Sequence, residues 1–162
     1  MKRFQTFHEN GLPCEYGRED ENGRQGLVTK LDEQGNLFIE AHYKNGEVHG
    51  LFTRYHPSGL IAVQTHYNYG QHDGPGVSYY ENGLKEEEWE YRNGAFHPIN
   101  YWHEDGTQTL INGTGNRRLY LGICGSLEID EYYENGKKIK EVQITFPVYG
   151  KFTPFNRKDE DA

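Results

Sequence analysis

The sequence predicts an all-β fold: a single elongated, twisted antiparallel meander of stacked β-hairpins with little helix. Three observations carry the prediction. Glycines that follow turn-forming residues recur at a fixed interval. The residues between them alternate apolar and polar, as strands that show alternate side chains to opposite faces require. No stretch has the spacing of a long amphipathic helix; the charged run LKEEEWEYRNG, the one candidate, occupies a strand slot between two turns.

The interval comes first because a repeat fixes the architecture. Gly11, Gly35, Gly59, Gly83 and Gly106 are separated by 24, 24, 24 and 23 residues, and the interleaved Gly23, Gly46, Gly70 and Gly94 by 23, 24 and 24. Gly136 follows Gly106 after a step of 30 and is grouped with the first series, while Gly26, Gly50, Gly74 and Gly76 stand outside both. Asn-Gly, the strongest short-range hairpin signal, marks turns at residues 10–11, 22–23, 45–46, 82–83, 93–94 and 135–136, and also stands at 112–113 within INGTG. On this lattice residues 1–26 read as a degenerate N-terminal cap, 27–115 as regular repeats of about 24 residues, 116–150 as an irregular C-terminal unit and 151–162 as a tail, all within one repeat domain. Ten to twelve strands are expected.

The columns of the repeat give the strands their faces. Phe7, Leu31, Tyr55, Tyr79, Trp102 and Tyr132 stand four residues before a glycine of the first series. Tyr43, Tyr67 and Tyr91 stand three before the second, with Ala41, Thr65 and Trp89 two further back and Glu40, Gln64 and Glu88 as their polar neighbours. One aromatic-rich and one polar stripe are expected. A three-residue loop ending in a left-handed glycine, a type I turn with a glycine bulge, would pair Leu31 with Leu37, Thr29 with Ile39 and Leu27 with Ala41, segregating apolar from polar residues.

Composition bounds the function. Hydrophobic residues are few, but 13 tyrosines argue against disorder and for a thin sheet whose rings carry polar tips. The net charge of −8 argues against nucleic acid and anionic membranes, which select basic stripes. No apolar run is long enough for a membrane helix, and the start MKRFQTFHENG lacks the core of a secretory signal. Cys14 and Cys124 read as reduced thiols of a cytoplasmic protein.

Catalytic chemistry is not expected. The eight histidines follow the repeat, and His42 and His66, 24 apart in one column, would lie two strand spacings from each other, too far to share a zinc. INGTG lacks the lysine of a phosphate loop, and Cys124 or Ser126 in GICGS has no activating signature around it. Neither a metal nor a cofactor is expected. The feature that stands out is Glu86-Glu87-Glu88-Trp89-Glu90. On a strand Glu86, Glu88 and Glu90 would share a face, forming with Trp89 and Trp102 an acidic-aromatic patch for a basic partner.

The stretch YKNGEVHGLFTRYHPSGLIAVQTHYNYGQHDGPGVSYYENGLKEEEWEYRNG resembles the bacterial variant of the MORN repeat, and YWHEDGTQTLINGTG followed by EYYENGKK is similar to the closing module of its YwqK-like antitoxins. The resemblance spans about Gly23 to Lys140. It implies a meander of hairpins and an antitoxin or immunity role: stoichiometric neutralisation of a toxin, often one delivered by a neighbouring bacterium. The alternative it leaves open is a MORN-type scaffold or membrane-associated module. The chain departs from the pattern at Pro98, where His-Gly is usual, in NRRLYLGICGS, and in the closing ITFPVYGKFTPF.

Overall fold

The computed structural model describes residues 1–121 and 127–145. They form thirteen strands and, among the described residues, no helix. The strands are β1 (Lys2–Phe7), β2 (Pro13–Asp20), β3 (Gly23–Leu31), β4 (Leu37–Lys44), β5 (Glu47–Tyr55), β6 (Ile61–Asn68), β7 (Gln71–Tyr79), β8 (Lys85–Arg92), β9 (Ala95–Trp102), β10 (Gln108–Ile111), β11 (Thr114–Leu121), β12 (Leu127–Glu134) and β13 (Lys137–Thr145). They lie side by side in chain order as one antiparallel sheet with β1 and β13 at its edges. Cys124, the GICGS segment, the chain beyond Thr145 and the tail lie outside the described residues.

Two turn chemistries alternate along the chain. At the first series of glycines the loop has three residues, as expected. The Asp32 N–H donates to the Asn36 carbonyl at 2.9 Å and the Gly35 N–H to the Asp32 carbonyl at 3.0 Å. The same two bonds recur at Gly11, Gly59, Gly83 and Gly106, all left-handed with φ of 82–86°. At the turns between these hairpins five loops have two residues, both left-handed: Asn45-Gly46 (φ 53°, 82°), Tyr69-Gly70, Asn93-Gly94, Asn112-Gly113 and Asn135-Gly136; the Glu21-Asn22 loop differs, with a left-handed Gly23 paired to Asp20. The five are the type I′ turns that match strand twist. Gly136 therefore belongs with the second series, not the first.

The register corrects the predicted pairing beyond the first pair. Leu31 does pair with Leu37, but the register then shifts, so that Lys30 faces Ile39, Thr29 faces Glu40 and Val28 faces Ala41. The extra residue is Phe38; the equivalent extra residues elsewhere are Cys14, Ala62 and Glu86, 24 apart each time. A bulge sits beside every one of these loops and swaps the faces of the residues that follow it. Aromatic columns consequently appear on both faces, not on one. Gly26, Gly50 and Gly74 supply a second set of shifts, in β3, β5 and β7, where two residues of the partner strand span four. Their φ values of 71°, 108° and 88° explain the glycines.

Ladder partners define the faces. Val28, Ala41, Phe52, Thr65, Gly76, Trp89 and Pro98 form a continuous row on the first face. Thr29, Glu40, Thr53, Gln64, Val77, Glu88 and Asn100 form the neighbouring row on the second. The core comprises Val28, Ala41, Trp89 and Pro98 of the first row, Ala62 and Ile129, and the cluster of Tyr101, Leu110 and Tyr133, which bury one another where β9, β10 and β12 approach.

Candidate functional site on strands β8 and β9

Of the acidic-aromatic patch, β8 supplies Glu86, Glu88, Trp89 and Glu90, and the end of β9 supplies Trp102. The structure brings Glu88, Glu90 and Trp102 onto the second face and sends Trp89 and Glu87 to the first. Glu86 occupies the bulge between the Tyr79–Lys85 and Ser78–Glu87 pairs, so it does not continue the alternation predicted for Glu86, Glu88 and Glu90. Trp89 is 9% exposed. Its indole covers Gly76, where a Cβ would lie 2.4 Å from the ring, so Gly76 is the residue that admits the tryptophan.

On the second face the acids are held ionised. Glu88 receives Lys85 Nζ at 2.5 Å and Asn100 Nδ2 at 2.7 Å. The Lys85 hydrogen bond is the chief reason that its carboxyl sits below the ordinary glutamate value. Asn100 is fixed in turn, its Oδ1 accepting from Gln108 Nε2 and from the Asn112 N–H. Glu90 pairs with Arg92, whose hydrogen bonds lower its pKa likewise. Trp102 is half-buried, with Lys85 Nζ 5.8 Å from its ring and the Tyr80 hydroxyl donating to its carbonyl. Beside Glu88 runs an open groove of about 340 Å³ walled by Leu51, Val77, Pro75, His66 and Ile99.

The first face carries a ladder of rings. Phe52 meets Tyr67 at 5.6 Å, Tyr67 meets His72 at 4.2 Å, His72 stacks on Tyr91 at 4.7 Å, and Tyr91 meets Phe96 edge-on at 5.4 Å. The Arg117 guanidinium closes it, 4.7 Å over Phe96. Arg117 bridges Glu87 (2.6 Å) and Glu131 (2.8 Å), and Glu131 also accepts from Tyr133 Oη and Lys138 Nζ. Burial alone would raise the Glu131 pKa, but the three donors outweigh it and hold it at about 2. For Glu87 burial prevails over Arg117 and pushes the carboxyl up. Sequence reasoning missed this cluster because Arg117 and Glu87 lie 30 residues apart, off the repeat interval, in a segment that reads as irregular.

Two other histidines serve the backbone. His8 Nε2 bonds the Leu31 carbonyl (3.0 Å) and His56 Nε2 the Tyr79 carbonyl (2.8 Å), each tying one three-residue loop to the strand end leading into the next. Among the described residues no three His, Cys, Asp or Glu side chains converge as a metal site.

This geometry has a counterpart among known repeats. Residues 24–45 and 48–69 each match the MORN repeat variant. No curated protein matches the chain. The matched segments are the β3–β4 and β5–β6 hairpins, so one MORN-variant repeat here is a hairpin with a bulged three-residue loop, followed by a type I′ turn. The next hairpin, β7–β8, keeps the same loop and bulge. The chain is thus a β-sheet repeat protein, and its MORN-variant repeats suggest a scaffold for protein or membrane interaction.

Proposed function

We propose that the protein is an antitoxin or immunity protein that neutralises a bacterial toxin in the cytoplasm by stoichiometric protein–protein binding, without catalysing a reaction. The observation that carries the reading is the second face of β8 and β9. There an apolar groove lined by Leu51, Val77 and Ile99 runs beside Glu88, with Glu90 and Trp102 on the same face. Such a surface fits a basic partner that inserts an apolar anchor: the groove supplies desolvated contact area, the tryptophan a hot spot, and the carboxylates steering. In this reading Glu86, Glu88, Glu90 and Trp102 meet the partner, and Trp89 supports them from the opposite face.

The test is co-expression with the product of each neighbouring gene that arrests growth when expressed alone, combined with sedimentation of the purified mixture. Rescue of growth with a defined complex is the expected result. Rescue without a complex, or no rescue, contradicts the reading. The MORN-variant matches favour a second one, a scaffold or membrane-associated module. Flotation with anionic vesicles in the absence of any toxin complex would select it.

A further inference from the structure

The two edges of the sheet differ. On β13, Lys138 Nζ lies 2.9 Å from both Glu131 and Glu141, and Lys140 sits 5.3 Å over the Tyr132 ring. At the other edge Arg3 of β1 stands directly opposite Arg18 of β2. Both are exposed, and neither makes an ion pair or side-chain hydrogen bond among the described residues, although Lys2 beside them pairs with Glu19. Like charges directly opposite on neighbouring strands are destabilising. A charge on the outermost strand guards against stray pairing, but Arg18 is on the second strand and gains nothing that way.

What surrounds the pair is shaped for a ligand. Rows Arg3–Arg18–Gln25 and Gln5–Tyr16–Thr29 share the second face. They border a groove of about 940 Å³ in which Tyr16 is 43% and Leu27 47% exposed. Alongside it, β1 pairs with β2 alone among the described strands, so within the described residues the outward N–H and C=O groups of Lys2–Phe7 have no strand partner.

We propose that this corner binds an extended acidic peptide segment of a partner protein, added as a further strand along β1, with a carboxylate held between Arg3 and Arg18 and an apolar side chain on Tyr16 and Leu27. Main-chain hydrogen bonds supply affinity and alternate side chains supply selection. Arginine forks bind a carboxylate bidentately. Every second side chain of the added strand reaches this face, so the recognised pattern is an acid and an apolar residue two positions apart. A second copy of the chain is a poor occupant, since β13 would set Lys137, Lys138 and Lys140 against Lys2 and Arg3. The site is independent of the β8–β9 surface and takes a partner of opposite charge.

The experiment is fluorescence anisotropy with a short labelled peptide in which glutamate and valine stand two positions apart with threonine between them, and with its lysine-for-glutamate counterpart, on the intact chain. The glutamate peptide should bind at least about tenfold tighter, weaken with salt, and protect β1 amides from hydrogen exchange. Arg18→Gln should weaken it at least about fivefold without lowering the melting temperature, and Arg18→Lys should fall between, because the charge remains but the fork is lost. Equal binding of both peptides, indifference to Arg18→Gln, or binding that leaves β1 amides unprotected would overturn the proposal. So would Arg18-dependent binding to anionic vesicles without peptide binding, or a dimer in solution that blocks the site.

Discussion

At the scale of single residues, the two tryptophans have opposite surroundings, and substituting each should report a different property. Trp89 is buried over Gly76 and beside Phe96. Trp89→Ala should destabilise the fold by about 3–5 kcal/mol through the cavity it leaves. Trp102→Ala should leave the melting curve nearly unchanged and weaken the partner by on the order of 2 kcal/mol, read by thermal denaturation and titration calorimetry. Arg117 offers a second test. Among the described residues it bridges Glu87 and Glu131, so Arg117→Ala leaves a buried and a largely buried carboxylate without their common partner and should cost about 3–5 kcal/mol. The Glu131 carboxyl, held at about 2, favours the folded state above its ordinary pKa, and that contribution disappears as pH falls from about 4.5 towards 2. Glu131→Gln should therefore lower stability at neutral pH and flatten the fall of melting temperature across that window.

At the scale of elements, a hairpin here is defined by its turn. Gly46 lies at φ 82°, and its N–H donates to the Arg24 carbonyl of the preceding hairpin at 3.0 Å. Gly46→Val places a β-branched side chain in the left-handed region and should cost on the order of 1–3 kcal/mol. Hydrogen exchange should show the loss concentrated in β3, β4 and β5. Turns were also the most legible feature of the sequence. The interval of Gly11, Gly35, Gly59, Gly83 and Gly106, together with the segregation of apolar from polar residues, identified the three-residue loops and the Leu31–Leu37 pair. What stayed hidden was the bulge next to each loop. Phe38, Ala62 and Glu86 are chemically unrelated, so a column defined by backbone geometry left no side-chain signature. That one residue decides which face the rest of the strand shows, which is why the predicted single aromatic stripe became two. Gly26, Gly50 and Gly74 did carry a signal, their 24-residue spacing, readable as a third series of left-handed positions. The candidate site was legible as a cluster in one strand but not as a surface, because alternation puts Trp89 behind Glu88 and Glu90, and the Arg117 cluster depends on a strand outside the regular repeats.

At the scale of the whole molecule, a sheet without crossovers makes each strand depend on its two neighbours. Stability should then be approximately a sum of repeat and interface terms. The proposed binding surfaces use the same layout: rows of side chains repeat along both faces, and they depart from the repeat pattern at Pro98, Arg117 and the β1 edge. The proposed function rests on recognition of a basic partner by the second face of β8 and β9. Its most direct test is the association rate of that partner with the intact chain and with the Glu88→Gln, Glu90→Gln double variant, at low and at physiological salt. An unchanged melting temperature, association slower by about threefold or more at low salt, and a flattened salt dependence are expected. Identical rates and an identical salt slope, with the fold intact, would contradict it.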